Sequence, residues 1–279
     1  MSQAAIWIKN PLAIFAQNSD SGVLIKAQKI IELVPLGASP KSHIDEIYDA
    51  SSSVLLPGLI NTHHHFYQTL TRAYPEALNQ ELFPWLKSLY KVWANIQPEM
   101  HAVATELALA ELLLSGCTTA SDHHYLFPSQ LENAIDIQVE QAQKMGIRVV
   151  LTRGSMSLGE KDGGLPPQSL VQTDDQILQD SERLINTYHQ TEQGAMVQIA
   201  LAPCSPFSVT TELMQETANL AKKKNVRLHT HLAETIDEEN FCLQKFGLRT
   251  VDYLESVGWL SNRTWLAHGI HFNEEEVQK

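Results

Sequence analysis

The 279-residue sequence predicts an α/β protein: a small N-terminal β unit over residues 1–56 and a (β/α)8 barrel of the TIM type over residues 57–279. Residues 1–56 read as short strands separated by turns. After Pro57 and Gly58, short apolar strands alternate with longer helical patterns, which is typical of a parallel sheet with crossover helices. Strand starts recur at intervals of roughly 40 residues, a generous spacing for a barrel whose loops carry function.

The N-terminal unit is predicted from short β-prone runs. Polar, glycine-containing turns at residues 18–22 and 37–40 separate them. The predicted strands cover residues 5–8, 22–27, 29–34 and 53–56.

The barrel is predicted from six apolar strands and the helices between them. The strands cover residues 59–62, 118–122, 148–154, 197–202, 226–231 and 264–267. The clearest helices cover residues 99–115, 129–144 and 211–224. Pro98 near the start of the first helix and Gly116 just beyond its end favour those boundaries. Six units do not close an eight-stranded barrel, so we expect the first six units of this fold.

Composition and charge favour a small-molecule ligand. The formal net charge of −12 disfavours a surface that neutralises nucleic-acid phosphates or anionic lipid. The N-terminus lacks a secretory signal pattern, and no stretch reaches the ~18 apolar residues of a membrane span. Three scattered cysteines fit a reducing compartment. We expect a cytoplasmic protein that binds neither nucleic acid nor membrane, with homo-oligomerisation left open.

A run of three histidines follows the first barrel strand. Successive side chains of a strand alternate sides, so His63 and His65 share one face while His64 points the other way. Neutral imidazoles suit Zn, Fe or Ni better than Mg or Ca. The pair therefore predicts a metal site at the end of this strand, against the alternative of ordinary hydrogen-bonding histidines.

A second histidine pair ends the fifth barrel strand. His229 and His231 share a face, and Glu234 follows where the chain enters the loop. This arrangement predicts an imidazole beside the metal and a carboxylate over it, a pairing suited to metal-activated water and proton transfer. The alternative for Glu234 is a favourable charge at a helix N-terminus.

A third histidine, His268, ends the sixth strand immediately before Gly269. Alone, such a residue is more often held by local hydrogen bonds than used in catalysis. Three histidine sites at the ends of the first, fifth and sixth strands, on the rim where barrel enzymes place their active sites, favour a functional role.

The motifs LLPGLINTHHHFYQTLTRA, GCTTASDHH, RGSMSLG, HTHLAET and LAHG resemble, in combination, the amidohydrolase superfamily. The resemblance is to its cytosine deaminase and chlorohydrolase branch, and it covers essentially the whole chain. It implies a metallo-dependent hydrolase barrel, with residues 1–56 as the N-terminal part of a split β-sandwich domain.

The resemblance also implies site roles. His63, His65 and His231 would bind one divalent metal ion, with Zn expected and Fe as the alternative. Glu234 would be the proton shuttle, and His268 would orient and polarise the attacking water. This branch normally adds an aspartate from the eighth strand, which has no counterpart here. We therefore expect an isolated 279-residue chain to bind metal weakly and to turn over little.

The HHHFYQTLTRA and RGSMSLG segments imply a heterocyclic substrate. The expected reaction is hydrolytic deamination of a purine-type ring, first of all 8-oxoguanine with water to urate and ammonia. One alternative is a hydroxyatrazine-type ethylaminohydrolase, which releases an alkylamine. Another is a non-catalytic, truncated remnant of such an enzyme.

Two residues are candidate substrate contacts. Gln68 follows the first histidine pair, and Arg153 ends the third strand, where it would meet a ring carbonyl oxygen. A local hydrogen bond or salt bridge is the alternative for each. Of His123 and His124, alternation lets only one face the barrel mouth, and the sequence leaves open which one.

Aromatic residues recur in the segment after the first strand. We expect a long loop there, in the place of an active-site cover, with aromatics that pack rather than stack on a ligand. These residues are Phe83, Trp85, Tyr90 and Trp93.

Overall fold

In a computed structural model, which describes residues 4–279, the chain divides into two units. One comprises the described residues up to Leu59 together with Glu192–Gly194. The other comprises Ile60–Thr191 and Ala195–Lys279. The domain limits 1–56 and 57–279 stay a prediction.

The first unit is a β structure with a small core of its own. Its strands are β1 Ala5–Lys9, β2 Ala13–Ile14, β3 Gly22–Lys26, β4 Lys29–Val34, β5 Glu46–Asp49 and β6 Val54–Leu55. Four of them form a sheet in the order β4-β3-β1-β5, and β2 pairs with β6. Trp7, Leu24 and Val34 are buried in its core. Strand β5 was not predicted, because its residues, EIYD, do not alternate between polar and apolar, and all four are exposed.

The second unit is built on a parallel sheet. Its strands are β7 Leu59–Asn61, β8 Cys117–His124, β9 Arg148–Ser155, β10 Val197–Pro203, β11 Leu228–Leu232 and β12 Thr264–His268. The sheet order is β7-β8-β9-β10-β11-β12, the same as the chain order. This is the architecture of the first six units of a (β/α)8 barrel, so the predicted fold class is confirmed.

Eight α-helices accompany these strands among the described residues. They are α1 Leu82–Trp93, α2 Pro98–Leu114, α3 Ala134–Met145, α4 Asp174–Tyr188, α5 Thr211–Lys224, α6 Ile236–Phe246, α7 Thr250–Ser256 and α8 Glu274–Gln278. None of the helices within residues 4–279 combines the length and apolar character that crossing a membrane requires.

Local chemistry explains where the helices begin and end. The Thr210 hydroxyl accepts the Leu213 N–H and starts α5, and Thr173 forms a capping box with Gln176 at α4. The helix predicted from residue 129 instead begins at Ala134 as α3. The preceding residues form a turn in which Leu131 N–H donates to the Pro128 carbonyl at 2.7 Å.

The register between β8 and β9 decides which side chains share a face. His123 pairs with Thr152, and His124 pairs with Arg153. The two strands approach closely at Gly154, where a Cβ atom would lie 2.2 Å from the His124 carbonyl oxygen. Glycine therefore allows this part of the sheet to close.

Candidate active site

A cavity of about 260 Å³ lies in the second unit, at the carboxyl ends of the parallel strands. Barrel enzymes place their active sites at this end of the sheet. All of the predicted site residues except Arg153 line the cavity. The lining residues are His63, His65, Gln68, Leu82, Trp85, Leu86, Tyr125, Cys204, Ser205, Phe207, His231, Glu234 and His268.

The histidine run after β7 places its members as strand alternation predicts. His63 and His65 both line the cavity, with ring centroids 4.8 Å apart. His64 lies against Phe66, away from the cavity, with ring centroids 5.2 Å apart. The Asn61 carboxamide oxygen accepts the His63 N–H at 3.0 Å and fixes the start of the run.

Main-chain carbonyls fix the orientation of two imidazoles. His65 Nδ1 lies 2.6 Å from the His123 carbonyl oxygen, and His231 Nδ1 lies 2.7 Å from that of Cys204. Carbonyl oxygens only accept, so each Nδ1 carries the proton, and each neutral ring has an unprotonated Nε2. These two Nε2 atoms face each other at 3.1 Å. Two lone pairs thus meet without a proton between them.

His229 orients the third imidazole. Its Nδ1 donates to the Trp265 carbonyl at 2.9 Å, so its Nε2 is an acceptor. That Nε2 lies 2.8 Å from His63 Nδ1, which therefore donates. His63 Nε2 is left unprotonated, as are the Nε2 atoms of His65 and His231.

Burial keeps these rings neutral. It lowers the pKa of His63 to about 2, that of His65 to about 3, and that of His229 to about 4. Burial also lowers the pKa of His231 well below its ordinary value, and the neighbouring imidazoles lower it further. Neutral imidazole is the protonation state that binds a transition metal.

The donor set is compatible with a divalent metal ion. Facing lone pairs 3.1 Å apart are compatible with two bonds of about 2.0–2.1 Å to a shared zinc ion. Ligand atoms of His63, His231 and His268 also lie within 4.8 Å of one another, as do those of His63, His123 and His229. Neither group contains His65, which joins the cluster through the 3.1 Å contact between its Nε2 and that of His231.

Glu234 and His268 lie side by side at the cavity. Glu234 Oε1 lies 3.4 Å from His268 Nε2, and both side chains retain some exposure. Burial raises the pKa of Glu234 to about 7, so this carboxyl can hold or release a proton near neutral pH. His268 has a left-handed backbone, with φ of 75°, and its ring stacks 5.4 Å from that of His231.

The structure corrects the position of Arg153. Its side chain is only 1% exposed, and its Nε donates to Asp180 Oδ2 at 2.8 Å. The guanidinium also donates to Gln172 and lies 3.8 Å from the Phe127 ring centroid. Because Arg153 pairs with His124 in the sheet register, it points away from the cavity and is part of a structural ion pair.

His123, which the sequence left open, is the member of its pair that faces the histidine cluster. Its ring stacks 4.4 Å from that of His231, and its Nε2 donates to the Ala202 carbonyl at 3.0 Å. His124 faces the helices, with its ring centroid 4.5 Å from that of His101.

One wall of the cavity comes from α1, where the sequence predicted a loop. Leu82, Trp85 and Leu86 line the cavity together with Phe207, so Trp85 faces the ligand space rather than only packing. Trp93 is fully buried in the core, as expected for the aromatic residues of this segment.

Polar residues after β8 and β10 complete the cavity. Tyr125 follows β8, and Cys204 and Ser205 follow β10. Burial raises the pKa of the Cys204 thiol to about 12, so the thiol stays protonated. Their signal in the sequence is weak, because they follow predicted strand ends without a recognisable spacing.

The sequence pattern of the amidohydrolase family matches residues 54–279. The chain belongs to the amidohydrolase family. It is 64% identical to 8-oxoguanine deaminase of Pseudomonas aeruginosa over 98% of this chain and 62% of that protein. It is 33% identical to hydroxydechloroatrazine ethylaminohydrolase of Pseudomonas sp. strain ADP, over 88% of this chain and 51% of that protein. The chain therefore spans between half and two thirds of the length of these relatives.

A solved structure shares the fold. Atrazine chlorohydrolase from Arthrobacter aurescens, complexed with zinc, superimposes with a TM-score of 0.89 at 31% identity. The match covers 98% of this chain and 62% of that one. Members of this family are metal-dependent hydrolases.

Proposed function

We propose that this protein is a metal-dependent hydrolytic deaminase that converts 8-oxoguanine and water to urate and ammonia. The observation that carries the hydrolase assignment is the facing pair of unprotonated Nε2 atoms of His65 and His231, beside the raised-pKa carboxyl of Glu234. The 64% identity to the Pseudomonas aeruginosa deaminase supports the choice of ring.

The proposed cofactor is one divalent ion held by His63, His65 and His231. Zinc is our first choice and iron the alternative, because imidazole binds both. When bound, the ion supplies Lewis-acid activation of water. The Trp265 carbonyl, acting through His229, and the carbonyls of neighbouring strands aim the three ligand nitrogens.

Glu234 moves the protons in the proposed reaction. With its pKa near 7, its carboxyl takes a proton from the attacking water and delivers it to the ring nitrogen beside the attacked carbon. It then takes the second proton of that water from the newly attached hydroxyl and delivers it to the departing amine. His268, 3.4 Å away, orients the attacking water. The C–N bond to the exocyclic amine then breaks, while the new C–O bond is kept. Ammonia leaves, and a carbonyl group replaces the amine on the ring.

The cavity walls fit a flat, polar-edged ring. Trp85 and Phe207 offer aromatic surfaces, and Gln68, Cys204 and Ser205 offer hydrogen-bonding groups. The volume of about 260 Å³ lies just below the range of about 300–1,000 Å³ for drug-sized ligands, which suits a compact heterocycle. We propose that Gln68 contacts the ring edge and that the substrate is a small cytoplasmic molecule.

A second candidate is hydrolysis of a hydroxylated triazine with release of an alkylamine. Two similarities support this candidate: the 33% identity to hydroxydechloroatrazine ethylaminohydrolase and the fold shared with atrazine chlorohydrolase. The two reactions need the same metal and proton transfer, so the ring that the cavity accepts distinguishes them.

A substrate panel tests the proposal on the protein produced from its own gene. Ammonia or amine release is measured with 8-oxoguanine, guanine, isoguanine, cytosine and hydroxyatrazine, after zinc loading and after chelation. We expect the highest kcat/KM with 8-oxoguanine and loss of activity after chelation. Activity on hydroxyatrazine alone would replace the purine assignment with the second candidate.

Variants separate the proposed roles. We expect Glu234→Gln to lower kcat by at least about 10²-fold with zinc content unchanged. His231→Asn should lose zinc, whereas His124→Asn, a buried histidine on the other face of β8, should retain it. A Glu234→Gln enzyme with full turnover would show that another group transfers the proton.

A further inference from the structure

The loop between β11 and α6 has an uncommon backbone conformation at Ala233, immediately before Glu234. Ala233 has a φ of 52°, in the left-handed region that non-glycine residues rarely adopt. A non-glycine residue keeps this strained conformation only when surrounding contacts hold it there. The contacts around Ala233 therefore decide where the Glu234 side chain points.

Glu238 makes two of these contacts. Its carboxylate accepts the Ala233 N–H at 3.1 Å through Oε1 and the Glu234 N–H at 2.9 Å through Oε2. The side chain is fully buried, so these bonds form away from water. Glu238 is the third residue of α6, after the N-cap Thr235.

This geometry departs from an ordinary capping box. There, the carboxylate at the third helix position accepts the N–H of the N-cap residue itself. Here, the Glu238 carboxylate reaches past Thr235 to the two residues before it. Both carboxylate oxygens of Glu238 thus accept hydrogen bonds from the segment that carries Glu234.

The opposite side of the same loop is tied to the His268 segment. The Ala233 carbonyl accepts the His271 N–H at 3.1 Å, and the Leu232 carbonyl accepts the Gly269 N–H at 2.9 Å. Ala233 is therefore held at its N–H by Glu238 and at its carbonyl by the chain beyond His268. These bonds set the spacing between Glu234 and His268.

We infer that Glu238 is a positioning residue: its buried carboxylate clamps the Ala233 and Glu234 amides and so aims the Glu234 carboxyl at His268 and the cavity. The kinetic consequence rests on the proposed deaminase function. The clamp itself is a property of the chain and is measurable without turnover.

Amide hydrogen exchange in Glu238→Gln tests the clamp, with Glu239→Gln as the matched control. The carboxamide introduced by the first substitution keeps one acceptor oxygen but turns its NH₂ group toward the second backbone donor. Glu239 is the adjacent buried carboxylate of α6, and its Oε1 pairs with Arg249 Nη1 at 2.6 Å. The control therefore removes a buried charge from the same helix while the clamp stays intact.

We expect exchange of the Ala233 and Glu234 amides to accelerate about 10-fold or more in Glu238→Gln and to stay within about twofold in Glu239→Gln. In the active enzyme, we expect kcat to fall about 10- to 100-fold in Glu238→Gln, with KM and zinc content nearly unchanged. Glu239→Gln should lower stability but leave kcat within about twofold of the wild-type value.

Three results would overturn the inference. The first is rapid, unprotected exchange of the two amides in the unmodified protein, a measurement that needs no variant. The second is unchanged exchange in Glu238→Gln, and the third is an equal loss of kcat in Glu239→Gln. If no ring of the panel is deaminated, the proposed function fails, while the exchange measurement still decides on the clamp.

Discussion

Replacing Arg153 with alanine separates a structural role from a substrate contact. The guanidinium is buried in the second unit, where it donates to Asp180, Gln172 and the Gly154 carbonyl. Burial lowers the pKa of Arg153 to about 10, and Asp180 counteracts part of this effect. The arginine thus remains charged at neutral pH, in an ion pair whose guanidinium is buried and whose carboxylate is 19% exposed.

The expected cost is large because truncation removes one partner of a buried pair. Asp180 is left with the more exposed Arg183, while Gln172 and a main-chain carbonyl lose their donors. Losses of about 3–5 kcal/mol in the free energy of unfolding are typical for such a change. In a protein of this size that corresponds to a fall in Tm on the order of 10 °C.

Urea unfolding followed by circular dichroism, with KM measured in parallel, is the assay. Arg183→Ala is the control, because Arg183 bonds to the same Asp180 but is 45% exposed, and we expect a loss of about 1 kcal/mol there. KM should stay near the wild-type value in both variants. Wild-type stability combined with a strongly raised KM in Arg153→Ala would refute the structural assignment and restore the substrate contact.

Three further predictions concern protonation, packing and metal affinity. Burial lowers the pKa of His101 to about 4, whereas the unfolded chain binds a proton at this histidine below about pH 6.5. The free energy of unfolding therefore decreases as the pH falls. In urea unfolding, His101→Asn should reduce this decrease between pH 7 and pH 5 by about 2 kcal/mol. Gly154→Ala places a methyl group against the His124 carbonyl and should cost about 3 kcal/mol, with an unchanged denaturation midpoint contradicting it. His229→Ala removes the acceptor that orients His63 and should weaken zinc binding about 10- to 100-fold in a chelator competition, whereas equal affinity would show that His63 needs no such support.

The histidine pair after β7 was predictable because its placement depends only on the two-residue period of a strand. His63 and His65 fall on one face and His64 on the other, as the alternation requires. The order of the strand-helix units was predictable for a similar reason, because each unit has its own apolar pattern.

Arg153 was not predictable because its direction depends on register between strands. Sequence spacing fixes which residues of one strand share a face, but not which residue of the next strand lies beside them. The pairing of His124 with Arg153 turns the arginine outward, and this pairing exists only in the assembled sheet.

Helix α1 lies where the sequence analysis placed a long loop, and it begins with a turn that contains Pro84. Proline is tolerated there, because the N–H groups of the first helical turn have no partner within the helix. The miss affected the site as well, since Trp85 on this helix faces the cavity.

The groups that aim His65 and His231 are main-chain carbonyls, those of His123 and Cys204. A substitution at position 204 changes the side chain presented to the ligand and leaves the carbonyl that holds His231 in place. The orientation of His231 and the ligand-facing surface therefore depend on different parts of the same residue. Under the proposed function, a substitution at position 204 can therefore change which heterocycle is accepted while the orientation of His231 is retained.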